Sequence, residues 1–213
     1  MQHLLPASDR PAPARRRSRA WLLVALLGLA AAAHDAGASV VRALGLDELV
    51  DRARTIAVVR VESAAAAWRD GRIVTDSVLV VTEGVQDAAA GERLAVRTLG
   101  GEVDGIGQRV FGEPRFRSGE RYLVFLERLA TSATEADGSP STTVLLRPVG
   151  MSQGALPVTD AAGTPLVAPN PDLPDLVLPD VAVSVAPWLD APRPLADVLA
   201  EVRVALAARG RDE

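Results

Sequence analysis

The chain of 213 residues contains no cysteine and no lysine, and its only two histidines are His3 and His34. Without cysteine the chain has no disulfide and no thiolate to serve as a ligand or nucleophile. Without lysine it has neither a Schiff-base amine nor the lysine of a Walker A loop. These absences exclude whole classes of enzyme and cofactor site before any motif is considered.

The N-terminal segment has the pattern of a secretory signal peptide. Four arginines between positions 15 and 19 precede an apolar run of 13 residues, Trp21–Ala33, and the small residues Ala36–Ala38 follow. This order predicts a signal peptide over residues 1–38 with cleavage after Ala38, and therefore a periplasmic or secreted protein. Since a membrane span needs about 20 apolar residues, we expect no transmembrane anchor after cleavage.

The predicted mature chain, residues 39–213, contains no histidine, cysteine or lysine. It therefore lacks the ligands of ordinary zinc, copper, haem and iron–sulfur sites, and it cannot assemble a Ser-His-Asp triad or a Cys-His pair. We assign no catalytic residue and expect no cofactor. The carboxylates remain as candidate acids, bases or calcium ligands, and Tyr122 remains as a group that would need unusual activation.

The charge of the predicted mature chain limits its partners. It carries 18 arginines against 25 Asp and Glu residues, a net charge of −7. An acidic surface argues against nucleic acid and against anionic membranes as partners. An unidentified envelope or secreted protein is the kind of partner that remains.

Local patterns predict a mainly β domain with a helix at each end. Asp70–Gly71 separates two β-rich runs, as in a two-residue hairpin, and Arg93–Leu99 alternates apolar with charged residues. Leu46–Ala53 has the spacing of a short helix. We therefore predict a small barrel-like or sandwich-like antiparallel domain over residues 39–160.

The remainder of the chain has a different composition. Eight prolines between Pro165 and Pro194 predict an extended arm over residues 161–193, with Trp188 as a residue that pins it to the domain. Residues 194–210 repeat leucine and valine at helical spacing, which predicts a C-terminal amphipathic helix. Packing of this helix on its own β domain is favoured over packing on a partner.

The stretch between Arg97 and Phe116 contains five glycines, which raises the question of a ligand loop. A dinucleotide fingerprint needs a third glycine where Val110 stands and a following helix, and neither is present. We therefore predict a backbone corner between strands. Three acids in this stretch, Glu102, Asp104 and Glu113, are kept only as calcium candidates, since their spacing is not that of an EF-hand.

Three segments resemble a group of uncharacterised exported β-domain proteins from myxobacteria-like bacteria. They are LGGEVDGIG at Leu99–Gly107, GERYLVFL at Gly119–Leu126 and GMSQG at Gly150–Gly154. The similarity extends over roughly residues 40–160. This resemblance implies a secreted or periplasmic β module. It implies no activity, cofactor or site residue for this chain.

The sequence therefore leaves two functions open. The first is an exported, non-catalytic binding or assembly module. The second is a carboxylate-dependent hydrolase that acts on an extracellular substrate such as a glycan, which would require two acids facing each other across a cleft at about 5 to 10 Å.

Overall fold

A computed structural model describes residues 41–129, 144–173 and 191–212, together with the three short strands at 133–134, 140–141 and 176–177. The predicted signal peptide, most of the predicted proline-rich arm and Trp188 lie outside the described residues. The elements in chain order are β1 Val41–Arg42, α1 Leu46–Arg52, β2 Thr55–Arg69, β3 Arg72–Gln86, β4 Arg93–Leu99, β5 Gly101–Val103, β6 Ile106–Gln108, β7 Arg121–Leu129, β8 Ala133–Thr134, β9 Pro140–Ser141, β10 Leu145–Pro148, a 3-10 turn Met151–Gly154, β11 Ala155–Ala161, β12 Thr164–Val167, β13 Leu176–Val177, β14 Arg193–Pro194 and α2 Leu195–Asp212.

The longest feature is the hairpin of β2 and β3, two strands of 15 residues each. Its turn is Asp70–Gly71, with φ angles of 47° and 75°. Two successive positive φ angles are those of a type I′ turn, whose twist matches the twist of the flanking strands. The predicted hairpin is therefore present, with strands much longer than those of a typical small β domain.

Five strands close into a ring. The main sheet has the order β10-β4-β3-β2-β7-β11-β12-β14, and β7 also pairs with β10. Strands β2, β3 and β4 follow one another as neighbours, while β7 returns to lie beside β2, which is a Greek key. Strand β10 then joins β4 to β7, so the connectivity is that of a five-stranded Greek-key barrel, as in OB-type domains.

Strand β7 is buried on both faces because the barrel encloses one face and the helices cover the other. Tyr122, Val124 and Leu126 pack inside the barrel with residues of β2, β3 and β4. Leu123 and Phe125 point to the opposite side and pack with the helices. This double burial explains the nearly continuous apolar run of the strand.

The C-terminal helix α2 packs on the β domain of its own chain. Leu195, Val198, Leu199 and Val202 are buried in one cluster with residues of α1 and with Phe125 of β7. Their spacing of three and four residues places them on one side of the helix. Neither helix in the described part of the chain has the length and apolarity needed to cross a membrane.

The mainly β fold with a short N-terminal and a C-terminal helix is confirmed. The sheet is mixed and not purely antiparallel, since Leu146 pairs with Val96 in parallel where the ring closes. Residues 161–167 lie in the β11–β12 hairpin, although the sequence placed them in the arm. Strand β12 accepts Pro165 because β14 pairs only with Leu166 and Val167, so among the described residues no strand lies on that side of Pro165.

Candidate functional site

The glycine-rich stretch forms a small hairpin over the end of the β2–β3 pair. Strands β5 and β6 are joined by Asp104 and Gly105, whose φ angles of 51° and 76° again match a type I′ turn. Gln108 fixes the returning strand, because its Oε1 accepts a hydrogen bond of 2.8 Å from the backbone N–H of Ile73. The stretch lies between strands, as the sequence predicted.

Gly100 and Gly101 turn the chain from β4 into this hairpin. Gly100 has a φ of 92°, donates its N–H to the carbonyl of Ile73 at 2.8 Å and accepts a bond of 2.7 Å from Thr75 Oγ1. Gly101 has a φ of 137°, and a Cβ there would lie 2.7 Å from Ala66 Cβ and 2.7 Å from Thr75 Oγ1. Only glycine satisfies both the backbone angle and the close approach.

A groove of about 470 Å³ opens beside the hairpin. Its wall includes the backbone of Gly100 and Gly101, and the side chains of Glu102, Arg109 and Glu113 border it. The ion pair between Arg115 and Asp172, 2.8 Å between Nη2 and Oδ1, also borders this groove. The volume is within the range of sites that bind small ligands or a few side chains of a partner.

Glu113 lies where this groove meets a second cavity of about 250 Å³, and Leu99 lines both. The carboxylate accepts a hydrogen bond of 3.3 Å from the N–H of Leu99 and makes no ion pair with another described residue. Burial raises the pKa of Glu113, while the Leu99 hydrogen bond and the charge of Arg147 act in the opposite direction. Glu113 therefore holds its proton more strongly than a solvated glutamate.

The arginines that line the smaller cavity are already paired. Arg97 makes a bidentate pair with Asp76, with distances of 2.6 and 2.7 Å. Arg147 Nε is 2.9 Å from Glu127 Oε1, and Arg52 is 3.7 Å from the same oxygen. These pairs neutralise the cavity wall and leave Glu113 as the carboxylate available to a ligand there.

Exposed apolar residues occur in the segment that lines the groove. Leu99 lines the groove and is 39% exposed, while Phe111 (69% exposed) and Ile106 (56% exposed) are chain neighbours of the lining residues Val110 and Gly107. Arg109 lies against the ring of Phe111, with its guanidinium carbon 5.4 Å from the ring centre. This cation–π contact restrains an exposed aromatic side chain next to the groove. Sequence reasoning missed Arg109 and Phe111, although an aromatic residue in a glycine-rich connection was a usable signal.

The three calcium candidates do not form a cation site. Glu102 and Glu113 border the same groove, whereas Asp104 lies in the turn between β5 and β6. Over the described ranges, no group of three Asp, Glu, His or Cys side chains is placed to hold a metal ion. Glu102, Asp104 and Glu113 are therefore separate carboxylates in the described structure.

Tyr122 lies inside the barrel, where it is 3% exposed. Its hydroxyl is 2.6 Å from Glu120 Oε2 and 3.2 Å from the carbonyl of Arg115, and its ring meets Phe116 edge to face at 5.0 Å. Burial, together with the hydrogen bond to Glu120, raises the pKa of Tyr122 far above its ordinary value. The residue packs the core and holds a loop, and its phenol stays protonated.

The GMSQG segment at Gly150–Gly154 joins three parts of the chain. Ser152 Oγ donates a bond of 2.5 Å to the carbonyl of Gly112. Gln153 is buried, accepts a bond of 2.8 Å from the N–H of Leu44 and donates one of 3.1 Å to the carbonyl of Arg42. The segment therefore positions the loop that carries Glu113 and fastens the N-terminal strand to the barrel.

Comparisons with protein-family models, with curated proteins and with solved structures found no match to this chain.

Proposed function

We propose that the protein is an exported, non-catalytic module that binds another envelope or secreted protein through the groove beside the glycine hairpin. The observation that carries this proposal is Phe111, a 69% exposed aromatic ring held by Arg109 next to a groove of about 470 Å³. Aromatic side chains are the residues most often responsible for binding energy at protein interfaces.

The rigid surroundings of the groove support the same function. Gly100 and Gln108 connect the hairpin to β3 through backbone and side-chain hydrogen bonds of 2.7 to 2.8 Å. A surface that is already ordered loses little conformational entropy when a partner binds. The export pattern of residues 1–38 supports a partner outside the cytoplasm.

The residue types near the groove favour binding over catalysis. The predicted mature chain has no histidine, cysteine or lysine, so a proton transfer would depend on carboxylates. Glu127, Asp76 and Asp172 near the two cavities are each paired with an arginine. A binding module requires none of these groups to change its protonation state.

One observation keeps the carboxylate-dependent hydrolase as a second candidate. Burial raises the pKa of Glu113 in a cavity that Glu127 also lines, and a carboxyl group with a raised pKa in a cavity is a feature of a general acid. If the protein hydrolyses a glycan, Glu113→Gln abolishes the turnover, because the amide has no proton to give. Incubation of the parent and of Glu113→Gln with cell-wall and extracellular glycans tests this candidate.

The binding function is tested with two substitutions of equally exposed apolar residues. Phe111 is 69% exposed and Val204, on the solvent side of α2, is 68% exposed. The tagged parent, Phe111→Ala and Val204→Ala are each incubated with an envelope extract from the same organism, and bound proteins are quantified by mass spectrometry. A truncated interface anchor costs about 2 kcal/mol or more, so Phe111→Ala should lower recovery of the partner about 30-fold and Val204→Ala should not. Equal recovery with all three proteins contradicts the proposal.

A further inference from the structure

The far half of strand β2 has one edge without a strand partner among the described residues. On one side β2 pairs with β3 along its length. On the other side it pairs with β7 only from Thr55 to Arg60, and Val61 then exchanges two bonds of 2.9 Å with Gly119 and Glu120. Residues 63–69 continue beyond the barrel, and in the described structure no strand lies along their outer side.

The direction of the backbone groups on this edge follows from Ile73, which lies opposite Trp68. The N–H of Ile73 binds Gln108 and its carbonyl binds Gly100, so both groups point away from β2. In an antiparallel pair, two residues opposite each other either both point their backbone N–H and carbonyl toward the other strand or both point them away from it. The N–H and carbonyl of Trp68 therefore point to the open edge, as do those of Ala66 and Ala64, two and four residues earlier.

This edge lacks the features by which proteins usually block strand pairing. From Ser63 to Trp68 it has no charged residue, no proline and no glycine, and Ser63, Ala64 and Ala65 are exposed. A bulge at the register shift between Val61 and Ser63 marks only its beginning. Gly101 of β5 covers Ala66 on one face of the sheet, while the edge itself carries small side chains and none of these protecting features, as an edge that accepts another strand does.

We infer that the open edge of β2 pairs with the same edge of a second copy of this chain, in an antiparallel dimer whose two-fold axis passes through Ala66. In this register the three residues with outward backbone groups in one copy lie opposite the same three residues of the other copy. Ala66 pairs with Ala66 of the other copy, and Ala64 pairs with Trp68. All six outward groups of each copy then have partners, and six hydrogen bonds join the two copies.

The side chains fit this register as well. Trp68, which is 48% exposed, lies opposite the small Ala64 of the other copy, so a large residue faces a small one on both sides of the axis. Arg69 lies opposite Ser63, so no like charges face each other between residues 63 and 69, and only beyond the strand does the register bring Glu62 toward Asp70. Because only one short edge of each copy takes part, we expect an interface below the roughly 1,200 Å² at which stable complexes begin, and a dissociation constant in the micromolar range or weaker. This dimer does not use Phe111 or Glu113, so a test of the dimer and a test of the proposed function give independent results.

The test is sedimentation equilibrium of the purified protein from about 5 µM to 1 mM, with Ala64→Pro as the variant and Ala65→Pro as its matched control. Ala64 is exposed and proline there removes an N–H that points outward, so thermal unfolding should stay close to that of the parent while dimerisation weakens at least tenfold. Proline at 65 removes an N–H bonded to β3 and should lower the unfolding temperature clearly.

Hydrogen exchange of the parent gives a second readout that needs no variant. The amides of Ala64, Ala66 and Trp68 should gain protection as the concentration rises, and the amide of Ala65 should be protected throughout. A monomer over the whole concentration range overturns the inference, as does a dimer that Ala64→Pro leaves unchanged. Failure of Ala64→Pro to fold, with Ala65→Pro folded, would show that the edge is oriented the other way. Protection of these amides only by a different protein would identify a different occupant and reject the dimer.

Discussion

Substitution of Gly101 by alanine tests whether the glycine-rich stretch is a backbone corner. The backbone at Gly101 has a φ of 137°, which alanine adopts at a cost of roughly 1 to 3 kcal/mol. The added Cβ would also lie 2.7 Å from Ala66 Cβ and from Thr75 Oγ1, and such overpacking costs about 1 to 3 kcal/mol. Together the two effects predict a loss of about 3 kcal/mol, or roughly 6 to 12 °C in the unfolding midpoint.

Two neighbouring glycines separate the two causes. Gly105 has a φ of 76° but open space around its Cβ position, so Gly105→Ala should cost only the backbone strain, about 1 to 2 kcal/mol. Gly107 has neither a positive φ nor a neighbour within 4 Å, so Gly107→Ala should stay within about 0.5 kcal/mol of the parent. Urea and thermal unfolding of the three variants measure this order. Equal midpoints for Gly101→Ala and Gly107→Ala would refute the corner and reopen the stretch as a flexible ligand loop.

Four further predictions concern other parts of the molecule. Because burial raises the pKa of Glu113 in the folded protein, the stability it contributes is present at low pH and is lost as the pH rises through the folded pKa. Glu113→Gln should therefore unfold at a higher temperature than the parent at pH 7 and should lose this advantage near pH 4; a constant difference would contradict the assignment. Gln153→Ala removes the side chain that binds the backbone of Leu44 and Arg42, and should cost about 2 to 3 kcal/mol in urea unfolding. EDTA should leave the unfolding midpoint of the parent unchanged within error, and a clear fall would reveal a metal that the separated carboxylates do not explain. Intact-mass measurement of the protein from its own cells should give a chain that begins near Ser39, whereas a full-length species would reject export.

The parts of the fold that could be predicted from the sequence depend on local signals. Asp70–Gly71 adopts positive φ angles at little cost, so the hairpin position follows from two residues. The alternation in Arg93–Leu99 and the apolar spacing in α2 each reflect one buried face, and both elements are present. These patterns can be recognised in the sequence because each depends on a turn of two residues or on the one buried face of a single element.

The closure of the barrel and the geometry of the groove could not be predicted in the same way. The ring closes where Leu146 meets Val96, 50 residues earlier in the chain, and no local pattern specifies that contact. The sequence identified Glu113 only as a calcium candidate. Its pKa is raised because its carboxyl group is buried where the two cavities meet, and this position depends on tertiary packing. The exposure of Phe111 likewise depends on the tertiary placement of an irregular connection.

Photo-crosslinking in the protein's own cells tests the binding groove most directly. A photoreactive residue is placed at one of two rim positions, Phe111 or Ile106, which are chain neighbours of groove-lining residues, or at the similarly exposed Val204 or Val144 elsewhere on the described surface. The account predicts that both rim positions crosslink to the same protein and that the two control positions do not. Crosslinks of equal yield from all four positions, or from the control positions alone, would contradict a binding function for this groove.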